Sequence, residues 1–260
     1  MKCIAKEEDF TVLEKCLCCD GDNLRTMFDL GKQPLANTYT KLIKRNEKYP
    51  LALNVCHDCF HLQLSVSVYP EILFKDYVYL SGMSEEMKSY YKWFVLYTAK
   101  YNENAKTVYE IACNDGCQLD AFKDFGFQTF GIDPAENLHR ITLEKYHNVT
   151  CSFFPPKQIG ASNECFYDIV VAQNVFAHVP NPYEFLLGCE KIMHDKSFLF
   201  IQTSQADMVK NSQFDTIYHE HISFFNTKSM NILVERAGLK LIDVEKVSVH
   251  GTSYIFTITK

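Results

Sequence analysis

The chain has no run approaching the roughly 20 uninterrupted apolar residues that a membrane-spanning helix requires. Its opening, MKCIAKEEDF, lacks the apolar core of a secretory signal. Positive charge is in short supply: 26 Lys and Arg face 32 Asp and Glu, a formal net charge of −6, which argues against a general phosphate-backbone binder. Arginine is scarcer still, at four against 22 lysines, so base reading in nucleic acid is not expected either. Glycine (10) and proline (8) are too few for a collagen-like or low-complexity chain, whereas 47% hydrophobic residues suffice for a buried core. At 260 residues the expectation is one large domain, or one with a small appendage, in the cytoplasm and without nucleic acid or membrane as partner.

Cysteine, by contrast, is plentiful, with eleven in the chain. In a reducing compartment these are not a disulfide framework, and their spacing separates them. Residues 10 to about 70 are short apolar runs broken by turns such as Cys19-Asp20-Gly21-Asp22-Asn23 and Leu30-Gly31-Lys32-Gln33-Pro34. So little apolar surface seldom folds without a staple. The pairs Cys16-x-x-Cys19 and Cys56-x-x-Cys59 supply one, because two such turns complete a tetrahedral four-thiolate zinc site. Cys18 is the spare thiol, and His57 and His61 read as surface neighbours rather than ligands. Cys113, Cys117, Cys151, Cys165 and Cys189 read as small core residues. A zinc-binding module is expected over residues 1–75.

Beyond it the periodicity changes. Ser84, followed by Glu85 and Glu86, opens a helix running to Tyr101 whose aromatic residues read as packing. Strands are expected over Thr107–Ala112, Phe127–Ile132, Val149–Phe153, Tyr167–Ala172 and Ser197–Gln202. Helices are expected near Cys117–Phe125, Asn137–Tyr146 and Pro182–Met193. Such alternation predicts a parallel sheet covered on both faces. Asn226 or Thr227 then caps a helix that Gly238 stops, and Leu239–Val247 and Ser253–Thr259 flank a turn at His250-Gly251 and pair antiparallel. An α/β, Rossmann-like, mostly parallel sheet with an antiparallel terminal hairpin is the pattern of class I methyltransferases, expected over residues 76–260.

In such sheets ligands bind beyond the carboxyl ends of the strands. The first strand runs into Glu110-Ile111-Ala112-Cys113-Asn114-Asp115-Gly116, with no G-x-G-x-x-G. Acids there repel a pyrophosphate but suit a cofactor bearing an ammonium and a sulfonium, and S-adenosylmethionine (SAM) has both. Asp133, before Pro134 at the next strand end, is placed to accept both ribose hydroxyls. Glu110, Ala112, Asn114, Asp115, Gly116, Asp133 and Pro134 are therefore the expected cofactor contacts. Asn174 either borders the adenine or acts as a cap.

Asn114-Asp115-Gly116, Gly131-Ile132-Asp133-Pro134, Asn174-Val175-Phe176-Ala177-His178-Val179 and Phe214-Asp215-Thr216-Ile217-Tyr218-His219-Glu220-His221 resemble the nucleotide-sugar 3-C-methyltransferases of branched deoxysugar pathways, and the paired cysteines match that family's zinc module. The resemblance implies methylation of a carbon beside a ketone on a nucleotide-linked 4-keto sugar. It makes His221 the base and gives Glu220 an orienting or charge-stabilising role. Tyr218, His178 and Tyr79, preferred to Tyr77, would hydrogen-bond the sugar oxygens. Two departures stand out. The family's further Rossmann-like domain has no counterpart after Lys260, so a separate chain is a candidate partner, and Gln202-Thr203-Ser204 stands where a Glu and a Pro-containing turn are expected. An O- or N-methyltransferase, or a non-catalytic partner subunit retaining the fold, is the alternative. His219 and His221, if on a strand, would share a face and could hold a metal.

Overall fold

The computed structural model describes residues 9–37, 47–74, 80–145, 147–157 and 166–260. Tyr77, Tyr79, Cys3, Cys165 and Tyr146 lie outside them. In chain order the first elements are β1 (Phe10–Val12), β2 (Leu24–Pro34), β3 (Lys48–Cys56), β4 (Leu62–Leu64), β5 (Val66–Val68) and α1 (Pro70–Phe74). The second series is α2 (Glu85–Ala99), β6 (Thr107–Ile111), α3 (Cys117–Asp124), β7 (Gln128–Asp133), α4 (Glu136–Glu144) and β8 (Asn148–Cys151). It is followed by β9 (Tyr167–Gln173), α5 (Pro182–Lys191), β10 (Met193–Thr203), β11 (Ser223–Phe224), α6 (Thr227–Arg236), β12 (Lys240–Val247) and β13 (Ser253–Thr259).

Seven strands form the main sheet in the order β12-β13-β10-β9-β6-β7-β8. The pairs β10–β9, β9–β6, β6–β7 and β7–β8 are parallel, and β13 lies antiparallel to both β10 and β12. The terminal hairpin is as expected, except that the last strand inserts inside the sheet and leaves β12 at the edge. In β9 the consecutive residues Ile169, Val170, Val171 and Ala172 are all fully buried, the mark of a parallel strand covered on both faces. One covering is α2, capped by Ser84, whose hydroxyl accepts from the Met87 amide. It lays Phe94 and Tyr97 edge-on against Phe200 of β10, and stacks Tyr90, Trp93 and Tyr97 along its length. The other face is covered by α5 and α6. Asn226 caps α6 through a reciprocal capping box with Ser229.

Four elements have limits that differ from expectation. The third helix ends at Lys191, and β10 begins at Met193 rather than Ser197, because Ser197 Oγ donates to the Tyr167 carbonyl and accepts the His194 amide, keeping an irregular stretch attached to β9. Strand β8 stops at Cys151, and this thiol is exposed rather than part of the core, since the strand is at the sheet edge. Helix α4 covers Glu136–Glu144.

The amino-terminal strands β2, β3 and β4 build a second, antiparallel sheet, and its fourth strand is β11, drawn from 160 residues downstream. Ser223 pairs with Gln63 and Phe224 with Leu62. Asn226 Nδ2 donates to the Phe60 carbonyl, and Arg236 donates to the carbonyl of the buried Cys18. His61, expected at the surface, is fully buried against Phe225, with its Nε2 3.2 Å from Ser223 Oγ. Packing is therefore continuous across the boundary expected at residue 75.

Candidate active site and metal centre

The Sγ atoms of Cys16, Cys19, Cys56 and Cys59 all lie within 4.8 Å of one another, with Cys16–Cys59 at 3.5 Å and Cys19–Cys56 at 3.6 Å. Sulfur atoms 2.3 Å from a tetrahedral zinc would be about 3.8 Å apart, so the donor set fits that ion. Local backbone explains the clustering. The Cys16 amide donates to Gly21 O and the Asp20 amide to Cys16 O, while Cys56 exchanges backbone bonds with His61 and Phe60, folding each C-x-x-C into a tight turn. The hydrogen bond to Cys59, followed by burial, pushes the Cys16 thiol up, and burial raises Cys19 to about 11; a divalent cation would reverse both. Cys18 sits apart from the cluster, fully buried. Among the described residues no other His, Cys, Asp or Glu group has this geometry.

A cavity of about 380 Å³ opens at the carboxyl ends of β6, β7 and β9. Glu110, Ala112, Asn114, Asp133, Pro134 and Asn174 line it, as do His178, Tyr218 and His221. Three of the expected site residues do not line it. Asp115 accepts from the Gly82 amide (2.8 Å) and the Cys117 amide (3.1 Å), tying the start of α3 to the segment before α2. Gly116 caps α3 at φ 73°, where an added Cβ would press on Thr142 and His147. Glu220, 3% exposed, accepts instead from Asn37 Nδ2 at 2.5 Å.

The turn after β6 is shaped by backbone that L-residues seldom adopt, with Ala112 at φ 59° and Asn114 at φ 50°. Asp133 stabilises it by accepting from the amides of Asn114 (2.8 Å) and Ala135 (2.9 Å), one on each oxygen, each of which keeps a further lone pair. Burial raises Asp133 above the usual carboxylate range. Glu110 is raised well above it, by burial first and then by the charges of Asp115 and Asp133. Glu110 Oε2 and both amide atoms of Gln118 and Gln173 are buried and have no hydrogen-bond partner among the described residues, yet all three side chains line the cavity. Unpaired polar atoms cost roughly 1–3 kcal/mol each, a cost that a polar, positively charged ligand would offset. This lining fits SAM. Gln118 and Gln173 were missed in the sequence, where each reads as an ordinary helix or strand residue. Gln202, in the place of the expected Glu, donates to Asn174 Oδ1 at 3.2 Å and accepts from the Tyr90 hydroxyl, so the departure supports this wall rather than opening it.

At the other end are imidazoles. His221 Nδ1 donates to the Thr216 carbonyl at 2.9 Å, which leaves Nε2 as the unprotonated nitrogen of the neutral ring, 3.3 Å from the Tyr218 hydroxyl that donates to it. His178 Nδ1 likewise donates to the Glu220 carbonyl at 2.7 Å, and the two rings are 5.1 Å apart. Burial, then the neighbouring His178, lowers His221 to about 3, so the ring is neutral at physiological pH. Burial also raises Tyr218 to about 12, keeping it a donor. His219 diverges from His221: its ring is buried beside the Tyr49 carbonyl, so the pair holds no common metal. His250, from the turn between β12 and β13, also lines the cavity.

Residues 83–244 match a family model described as "Methyltransferase domain", and residues 16–74 one described as "Putative zinc binding domain". The chain belongs to the methyltransferase domain family: its fold is that of the class I SAM-dependent methyltransferases, with a zinc-binding module ahead of it. More particularly, it is similar to the C-methyltransferase NovU of Streptomyces niveus, at 27% identity over 255 residues, covering 94% of this chain and 60% of NovU. The chain thus spans less than two thirds of that relative's length. It is also 22% identical to a ubiquinone biosynthesis O-methyltransferase of Burkholderia thailandensis over 171 residues, 59% of this chain and 73% of that protein. Among solved structures, the plantazolicin methyltransferase BpumL in complex with SAH shares the fold, with a TM-score of 0.54 at 14% identity over 65% of this chain and 82% of that one. Among the described residues no helix is long and apolar enough to cross a membrane.

Proposed function

We propose that the protein methylates a carbon next to the 4-keto group of a nucleotide-linked deoxysugar, with His221 as the base. Residues 1–75 serve as its zinc module and residues 76–260 as the transferring domain. One observation carries this reading: a single cavity joins an acid-lined end to a buried, neutral imidazole whose Nδ1 is already committed to a carbonyl. The similarity to a C-methyltransferase along nearly the whole chain favours carbon as the acceptor over oxygen or nitrogen.

When bound, SAM supplies an electrophilic methyl group and leaves as a thioether. Glu110, Asn114, Asp133 and Asn174, joined by Gln118 and Gln173, would hold it, and the remaining lone pairs of Asp133 would be open to the ribose hydroxyls. Ala112 and Pro134 bound the cavity, while Asp115 and Gly116 keep the turn in shape from behind. His221 Nε2 takes the proton from the carbon beside the ketone. The acceptor displaces the long 3.3 Å bond from Tyr218, freeing that hydroxyl for a sugar oxygen. His178 lies next to His221 and borders the same oxygens. Glu220 orients the His178 ring through its backbone carbonyl, and Tyr79 is a further acceptor contact by family resemblance.

The test is mass spectrometry after incubation with SAM and a panel of nucleotide 4-keto sugars. One added methyl in a non-exchangeable, alkali-stable position is the expected product. His221→Ala should lower turnover at least a hundredfold while leaving SAM affinity within about twofold. Full activity in that variant would remove His221 as the base.

A further inference from the structure

Proton abstraction from a carbon beside a ketone leaves a second requirement. As the C–H bond breaks, the proton goes to His221 Nε2, the bonding pair forms a C=C bond, and the carbonyl π pair moves onto oxygen. That oxygen needs a hydrogen-bond donor. Of the three imidazoles lining this end, two have no N–H to offer, since His178 and His221 donate theirs to the carbonyls of Glu220 and Thr216. The Thr216 hydroxyl is likewise spent, on the Gln213 carbonyl, and the Tyr218 hydroxyl, aimed at His221 Nε2, is assigned above to another sugar oxygen. His250 is different. Its ring has no hydrogen-bond partner among the described residues, it lines the same cavity, and it lies close enough to bear electrostatically on His221.

The backbone beneath it is costly. His250 has φ 51° and ψ 41°, and Gly251 and Thr252 follow at φ 75° and 94°. A histidine in the left-handed region is held against its preference, and here two amides hold it: Gln213 Nε2 donates to Gly251 O at 2.9 Å and Gln205 Nε2 to Thr252 O at 3.2 Å. Glycine or asparagine would adopt this conformation more readily. The ring itself is exposed and open to exchange its water for a ligand, and backbone strain of this kind beside a cavity is the basis for a functional proposal.

We propose that His250 donates the hydrogen bond that stabilises the enolate oxygen of the acceptor while His221 takes the proton. The proposal rests on the reaction proposed above. It is tested by solvent exchange in D2O: protein saturated with S-adenosylhomocysteine, which cannot give a methyl, is incubated with nucleotide 4-keto sugars, and deuterium entering beside the ketone is followed. His250→Gly should slow exchange at least thirtyfold while leaving S-adenosylhomocysteine affinity within twofold and the melting temperature equal or higher, because it relieves the backbone. His250→Asn, which suits the same backbone and keeps an N–H donor, should restore exchange to within about fivefold of the parent. A merely structural role would not separate stability from exchange in this way. If the parent exchanges and methylates but His250→Gly does so equally well, the assignment of His250 falls and the reaction stands. If the parent neither exchanges nor methylates any 4-keto sugar, both fall.

Discussion

Residue by residue, the site sets two carboxyl and imidazole environments against each other. Glu110 is buried without a partner on one oxygen, so ionising it is unfavourable until a cation arrives. Replacing it with Gln should therefore move two observables in opposite directions. Stability by denaturant titration should stay level or rise, whereas SAM affinity by calorimetry should fall about tenfold or more. His221 makes a pH prediction. Its folded value of about 3 lies below the unfolded 6.5, so the contribution is fully present above pH 6.5 and is lost as pH falls, because the unfolded chain then takes up a proton that the folded one refuses. His178 is shifted in the same direction by burial. Chemical denaturation between pH 7 and pH 4 should show stability falling by about 1.4 kcal/mol per pH unit for each such group, and the acid limb of kcat/KM should lie below pH 6.5. A limb near 6.5 would mean that the ring titrates as if exposed.

Among the elements, helix α5 reverses an ordinary expectation. A glycine inside a helix usually costs about 1 kcal/mol relative to alanine, so Gly188→Ala would normally stabilise. Here the added Cβ would sit 2.8 Å from Pro155 Cβ and 3.1 Å from the Phe154 ring, which packs on Phe185. The overpacking of about 1–3 kcal/mol outweighs the gain. The variant should unfold at lower denaturant, and an unchanged or raised midpoint would show that the Phe154–Pro155 segment yields. The elements themselves were legible in the sequence because their signals are local: Ser84 and Asn226 as caps, the unbroken apolar run of β9, and the Asp133 strand end. What was not legible came from distant pairings. Nothing around Ser223 announces a partner at Gln63, His61 looks like a surface residue until Phe225 covers it, and Glu220 faces Asn37, 183 residues away. Gln118 and Gln173 escaped notice because their meaning is a lack of partners, which only the assembled structure displays.

For the molecule as a whole, the four cysteines and the segment carrying His221 are mechanically joined. The stretch Tyr218–His221 runs directly into β11, which is hydrogen-bonded to β4, and β4 follows the Cys56–Cys59 turn by three residues. Zinc analysis should give about one ion per chain, and fewer than about 0.5 in well-folded material would count against the site. Cys56→Ser, or exhaustive chelation, should lower the melting temperature and abolish turnover while weakening SAM binding far less, since the acidic end of the cavity stands on β6 and β7. Equal loss of both would indicate that the fold fails as one unit. The arrangement also bears on dissection. Because an internal piece of the second half completes a sheet begun by the first, a nick in the backbone near residue 75 would leave each fragment missing something that the other holds. Two such halves, produced together, should recognise each other without a tether, and reassembly would restore turnover only when both are present.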